Sequence, residues 1–271
     1  MPHLRTPDAT IFYRLQGSGP VLVLSQSGEG DADRTTDLVP FLAAHHTVLT
    51  YDRRGLSRSR SRVPSHPASM ADHAEDLRYL IHHVADSPVR MLGCSLGAVI
   101  GLHAGTQEPR LLEVLVAHEP VAPWLLPPSA AEEHRRELRE IARTYRESGL
   151  DVTLPMIVES LGIDPATGRC ESDLTPFPMD DRRLRNFDHF LRRDLEASAE
   201  DVMDPADLLD VPTRVIPAAG DLTPEGVFDR RCAEALSVLT STPLEIFPGG
   251  HNGNLTHPNR YAARLRQVLA D

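Results

Sequence analysis

The sequence predicts an α/β fold in which a mostly parallel sheet is covered by helices on both faces. Three observations predict it. Short apolar runs alternate with longer amphipathic ones along the chain. The intervals between the apolar runs are too long for hairpins, so the strands are joined by helical crossovers. The rhythm stops over residues 121–206 and resumes after them, which marks an insertion.

Taken in order, "TIFYRLQGSG" reads as a strand entering a turn, and "PVLVLSQSGEG" as a buried strand entering a glycine loop. "HHTVLTYDRRG" is the next strand. "ASMADHAEDLRYLIHHVAD" has helical periodicity, with Leu77, Leu80, Ile81 and Val84 on one face. "VRMLGCSLG" is a strand, and "AVIGLHAGTQEP" a helix stopped by Pro109. "LLEVLVAHEP" is a strand with Glu119 at its tip. Residues 121–206 are proline-dotted, rich in Arg and Glu, and read as several helices without a convincing strand. Beyond them, "PTRVIPAAGD" is a strand and "PEGVFDRRCAEALSVLT" a helix with proline at its start. "PLEIFPGGH" is a strand, and "HPNRYAARLRQVLAD" a closing helix. The expected division is a core of residues 1–120 and 207–271 with a helical cap of residues 121–206.

With 271 residues, 41% hydrophobic and 25% charged, the chain has the composition of a globular protein. Its net charge of −11 is opposite to what a nucleic-acid binder shows. Every cationic Lys/Arg position is arginine, which removes Schiff-base and lysine-general-base chemistry. Cys94, Cys170 and Cys232 are odd in number and without CxxC spacing, arguing against a disulfide framework or structural zinc site. The first residues lack the basic-then-apolar build of a signal peptide, and no apolar run approaches a bilayer span. The expected location is the cytoplasm.

"GCSLG", residues 93–97, is the sharpest chemical signal. A strand turning abruptly into a helix strains its middle residue, and glycines two positions either side give the turn room. Ser95 then projects its hydroxyl at a helix N-terminus. That hydroxyl needs a base. Among 13 histidines, His251 follows a strand and two glycines in "PLEIFPGGH", on a loop at the sheet end.

Together, "GCSLG", the late "PGGH", the strand order and the helical insertion resemble the α/β-hydrolase family over essentially the whole chain. "YDRRGLSRS" is similar to the family's turn after its fourth strand, with Ser57 where glycine is more usual. The resemblance implies about eight strands framing the site, a cap inserted after the sixth, and the order nucleophile, acid, histidine. It implies no cofactor and no metal.

Two acids stand at suitable strand ends. Asp221, after the strand that follows the cap, occupies the position most of the family uses. Glu119, before the cap, matches a minority that includes zearalenone lactonases, and its "AHEP" run resembles theirs. Spacing does not decide between them. Glu119 is favoured because a carboxylate ending a buried strand requires a partner, whereas Asp221 can cap a helix starting near Thr223 or Pro224. The oxyanion donors are expected at the Leu96 N–H and in the loop at Gln26 and Ser27, with the Gln26 side-chain amide as an alternative. Trp124 and His189 are candidate substrate contacts, Trp124 weighed against a place in the core of the cap and His189 against a place in the core or on the surface.

The expected activity is cleavage of a small, fairly apolar ester or lactone through an acyl-enzyme. Acyl transfer, thioester cleavage, perhydrolysis and ligand binding without turnover remain alternatives. No nucleic acid or membrane partner is expected.

Overall fold

A computed structural model describes residues 2–63, 67–164 and 170–270. The sheet begins with β1 (His3–Arg5) and β2 (Ala9–Gln16), paired antiparallel. It continues through β3 (Val21–Ser25), β4 (Thr47–Tyr51), β5 (Arg60–Ser61) and β6 (Val89–Cys94). β7 (Leu112–His118), β8 (Arg214–Gly220) and β9 (Glu245–Phe247) complete it. The spatial order is β1-β2-β4-β3-β6-β7-β8-β9, with β5 attached to β2 outside this path. Every pairing from β4 to β9 is parallel. The path therefore holds the eight strands the resemblance implied, and the two-residue β5 is an addition to it.

Alternation along the strands explains why both faces are covered. On β3, Val23 points into one apolar cluster while Leu22 and Leu24 point into the other. β7 repeats this, with Leu115 and Ala117 on one side and Val114 and Val116 on the other. Strands buried on both faces read as near-continuous apolar runs, as these do. The first face is closed by α2 (Met70–Val84) and α3 (Leu96–Gln107), the second by α1 (Val39–Ala43) and α10 (Pro258–Ala270). Ser69 and Asp72 form a reciprocal capping box that starts α2.

Between β7 and β8, no strand occurs among the described residues. The segment folds as α4 (Pro128–Ser148), α5 (Leu150–Ser160), α6 (Asp181–His189) and α7 (Leu195–Ala199). A wide π turn over Phe190–Asp194 joins α6 to α7. Residues 165–169 of the expected cap lie outside the described part. Leu138, Ile141 and Ala142 form the buried stripe of α4, at helical spacing. One helix start differs from expectation. α8 (Phe228–Thr240) begins four residues after Pro224, because Val227 N–H closes a turn onto the Pro224 carbonyl instead. The short α9 (Gly253–Thr256) then leads into α10. No helix among the described residues is long and apolar enough to cross a membrane.

Candidate active site

Ser95 sits where β6 gives way to α3, at φ 55° and ψ −118°. A non-glycine residue in such a conformation costs about 1–3 kcal/mol and persists only when its surroundings hold it. They do so here. Ser95 N–H donates to the His118 carbonyl on β7 at 2.9 Å. A Cβ at Gly93 would press on the Gly97 carbonyl and Ala98 backbone, and one at Gly97 would run into the Ser25 carbonyl. The two glycines let strand, turn and helix pack at backbone contact.

Glu119 is the next residue after β7 and has φ 45°, with its N–H donating to the Ala218 carbonyl of β8 at 2.9 Å. Its side chain is fully buried, with Oε1 accepting from Gly220 N–H at 2.8 Å and Oε2 lying 2.8 Å from His251 Nδ1. Burial alone would raise this carboxyl. The His251 hydrogen bond and charge, with smaller contributions from His118 and Thr223, bring it down to about 2. His251 is displaced the other way. Burial opposes its charge, but the Glu119 hydrogen bond and charge, with Asp229 beyond, raise it above the ordinary histidine value. Glu119 takes Nδ1 of the His251 ring, and Ser95 and His251 both line one cavity of about 240 Å³.

Asp221 lies elsewhere. It is exposed, and its Oδ1 accepts from Gly249 N–H at 2.8 Å, tying the loop after β8 to the loop that carries His251. It caps no helix, since α8 starts only at Phe228. A second acid near the imidazole is one the sequence did not single out. Asp229, buried in the first turn of α8, stands 3.8 Å from His251 Nδ1 and 3.2 Å from His134 Nε2. An acid in a helix's first turn is ordinary, so nothing in "GVFDRRC" marks this one.

Leu96 and Ser27 line the cavity. Arg53 donates to the carbonyls of Ser27 at 3.0 Å and Gly28 at 2.7 Å, and at 3.5 Å to that of Gln26. A trans peptide points its N–H opposite to its carbonyl. The N–H groups of Ser27 and Gly28 therefore face away from Arg53. The Gln26 side chain is taken up otherwise: Nε2 donates to Thr35 Oγ1 and Oε1 accepts from Asn254. Its amide is thus a scaffold of the loop, contrary to the alternative considered from the sequence.

The two candidate substrate contacts fall outside the cavity. Trp124 is buried, with Nε1 donating to Asp201 Oδ2 at 2.9 Å, and Asp201 also holds His103. His189 packs beneath Gly55 and lies 3.4 Å from Asp194 Oδ1. The apolar wall is made instead by Leu138, Ile141, Ile157, Phe187, Phe190 and Leu195. Cys94 faces the opposite side of the sheet, and burial pushes its thiol up to about 12, leaving it inert. No group of three or more His, Cys, Asp or Glu is arranged to hold a metal among the described residues.

The sequence profile of the alpha/beta hydrolase fold family matches residues 20–161. The chain is 29% identical over 271 residues to the uncharacterized hydrolase YraK of Bacillus subtilis, covering 98% of this chain and 94% of that one. It is 25% identical to RutD of Agrobacterium fabrum, named as a candidate carbamate hydrolase, over 96% of each. Among solved structures, a hydrolase from Pseudomonas aeruginosa superimposes with a TM-score of 0.75 at 24% identity, covering 100% of this chain and 98% of that one.

Proposed function

The chain belongs to the alpha/beta hydrolase family, and from that premise we propose that it is a serine hydrolase of small carboxylic esters or lactones. The observation that carries the reading is the buried Glu119–His251 pair, 2.8 Å apart, opening on the same cavity as the strained Ser95. Ser95 Oγ attacks the carbonyl carbon while His251 Nε2 takes the hydroxyl proton. The imidazolium so formed is stabilised by ionised Glu119. The oxyanion is met by the Leu96 N–H, one of the unpaired donors at the start of α3, and by the Ser27 N–H. His251 returns the proton to the leaving alkoxide, and the acyl-enzyme is then cleaved by a water that His251 deprotonates.

Residues 121–206 act in this reading as a cap over a core of 1–120 and 207–271, supplying the apolar wall. A triad acid before the cap is the feature in common with the zearalenone-lactonase-like branch, and it supports a lactone among the substrates. Three free cysteines fit a cytoplasmic setting. The name of the RutD relative favours one further substrate class, a carbamate. Acyl transfer, thioester cleavage and perhydrolysis would use the same acyl-enzyme with a different leaving group or acceptor.

Intact-mass analysis after exposure to a fluorophosphonate tests the nucleophile without assuming a substrate. Wild type is expected to gain one adduct and Ser95→Ala none. An unlabelled wild type, or equal labelling of both, overturns the assignment. A panel of p-nitrophenyl esters, thioesters, lactones and carbamates then separates the leaving groups.

A further inference from the structure

The same cavity is also lined by Glu29, Arg34 and Arg183, the last lying 5.6 Å from the Phe187 ring of the apolar wall. The charges there do not balance. Both oxygens of Glu29 are occupied by Arg183, through Nε at 2.7 Å and Nη2 at 3.0 Å. Arg34 reaches the same carboxylate only through Nε, at 3.5 Å. Among the described residues, Glu29 is the one carboxylate ion-paired with Arg34. Two guanidinium groups therefore share a single carboxylate.

The remaining acids nearby do not make up the difference. Asp31 is held by Ser57 and Arg58 and lies 3.4 Å from Arg182. Of the other acids that line the cavity, Glu137 and Asp229 both face His134, at 3.2 Å each. Burial weakens the Arg34 guanidinium, and neighbouring Arg183 adds to this, with Glu29 and Asp31 offsetting only part. It packs over the Phe177 ring, whose centroid lies 4.4 Å from the guanidinium carbon. A largely desolvated guanidinium packed over an aromatic ring, with an excess positive charge, is suited to a planar anion.

We propose that Arg34 forms an anion subsite, so that the substrate is an ester or lactone with an apolar body and a carboxylate at the end remote from the scissile carbonyl. The proposal rests on the hydrolase reading for its ester and on the Arg34 cluster for its carboxylate, and the two are separable. The cavity volume of about 240 Å³ restricts the substrate to a small one. With a chain charge of −11, no long-range field favours an anion, so any such preference is local.

Binding of monomethyl glutarate and of methyl pentanoate to Ser95→Ala, measured by calorimetry at physiological ionic strength, tests the subsite without turnover. The anionic ester is expected to bind on the order of tenfold to a hundredfold more tightly. Arg34→Met should abolish that ratio, and Arg34→Lys, which keeps the charge without the planar fork, should restore part of it. Equal affinity for the two esters overturns the proposal, as does a preference unchanged in folded Arg34→Met. In wild type, the ratio of kcat/KM for the same pair should follow the binding ratio. Tight binding of the anion without hydrolysis would sink the hydrolase reading and leave the subsite standing. Hydrolysis of both esters at equal rates would do the reverse.

Discussion

Arg53 and Asp194, 141 residues apart in the chain, meet at 2.7 Å with side chains only 3% and 1% exposed. The pair joins the turn after β4 to the last residue of the π turn. Its other partners give it a chemical consequence, because the same guanidinium holds the carbonyls of the loop after β3. Phe190, at the start of that π turn, presses its ring against Gly28 from the cavity side, where a Cβ would collide with it. The loop expected to supply an oxyanion donor is thus gripped between the turn after β4 and the helical segment joining β7 to β8.

Arg53→Met is expected to separate stability from catalysis. Asp194, held well below the usual carboxylate range by Arg53, His189 and His73 against its burial, would lose its principal partner. Breaking a buried pair on one side costs about 3–5 kcal/mol. Arg53→Lys returns the charge without the fork that spans successive carbonyls. The melting temperature should recover in part while kcat stays about tenfold or more below wild type. Full recovery of kcat in the lysine variant would show that charge alone suffices.

The two acids separate sharply in expected effect. Glu119→Gln leaves the histidine without a counter-charge, and turnover should fall by about 10³–10⁴. Asp221→Asn keeps the oxygen that accepts from Gly249 N–H, so kcat should stay within about tenfold of wild type. Steady-state rates on one p-nitrophenyl ester decide it, and the opposite ranking removes Glu119 from the mechanism.

In the proposed mechanism the base, His251, sets the pH profile. His251 acts as a base only when neutral, and its pKa is raised from 6.5, burial being outweighed by the hydrogen bond and charge of Glu119 and by Asp229. Activity should therefore rise with pH through a limb lying above 6.5. Asp229→Asn removes one of the negative charges that favour the imidazolium, so the limb of kcat/KM should move to lower pH. A limb that stays in place, or moves up, would show that Asp229 is not coupled to the imidazole.

The legible parts of this chain were those governed by the backbone. Alternating apolar runs marked the parallel strands, and a glycine-flanked serine between strand and helix marked the turn at Ser95. Ser57, where the family usually has glycine, adopts φ 48°, which explains the family preference. It is held there by Oγ donating to Asp31 and by Asn186, which bonds both its N–H and its Oγ. Trp124 and His189 were not legible because their directions depend on how the helices between β7 and β8 pack, which a single helical period does not encode. Asp229 was hidden for a different reason: its significance lies in the approach of His251 and His134, neither of which is near it in sequence.

Two glycines of α3 should respond with opposite signs to the same change. Alanine is about 1 kcal/mol better than glycine inside a helix, so helix propensity favours both substitutions. At Gly105 the added Cβ would find only Thr213 Oγ1, at 3.6 Å, and Gly105→Ala should raise stability by about 0.5–1 kcal/mol. At Gly97 the same atom would strike the Ser25 backbone and the Gln26 carbonyl, which cannot rotate aside as a side chain could. Forcing α3 away from β3 would move Leu96 from Ser27, the two proposed oxyanion donors, so overpacking of about 1–3 kcal/mol should be accompanied by loss of kcat. Denaturant unfolding and kcat measured side by side are the check. A stable, fully active Gly97→Ala would mean that helix and strand are less closely packed at this turn than the structure has them.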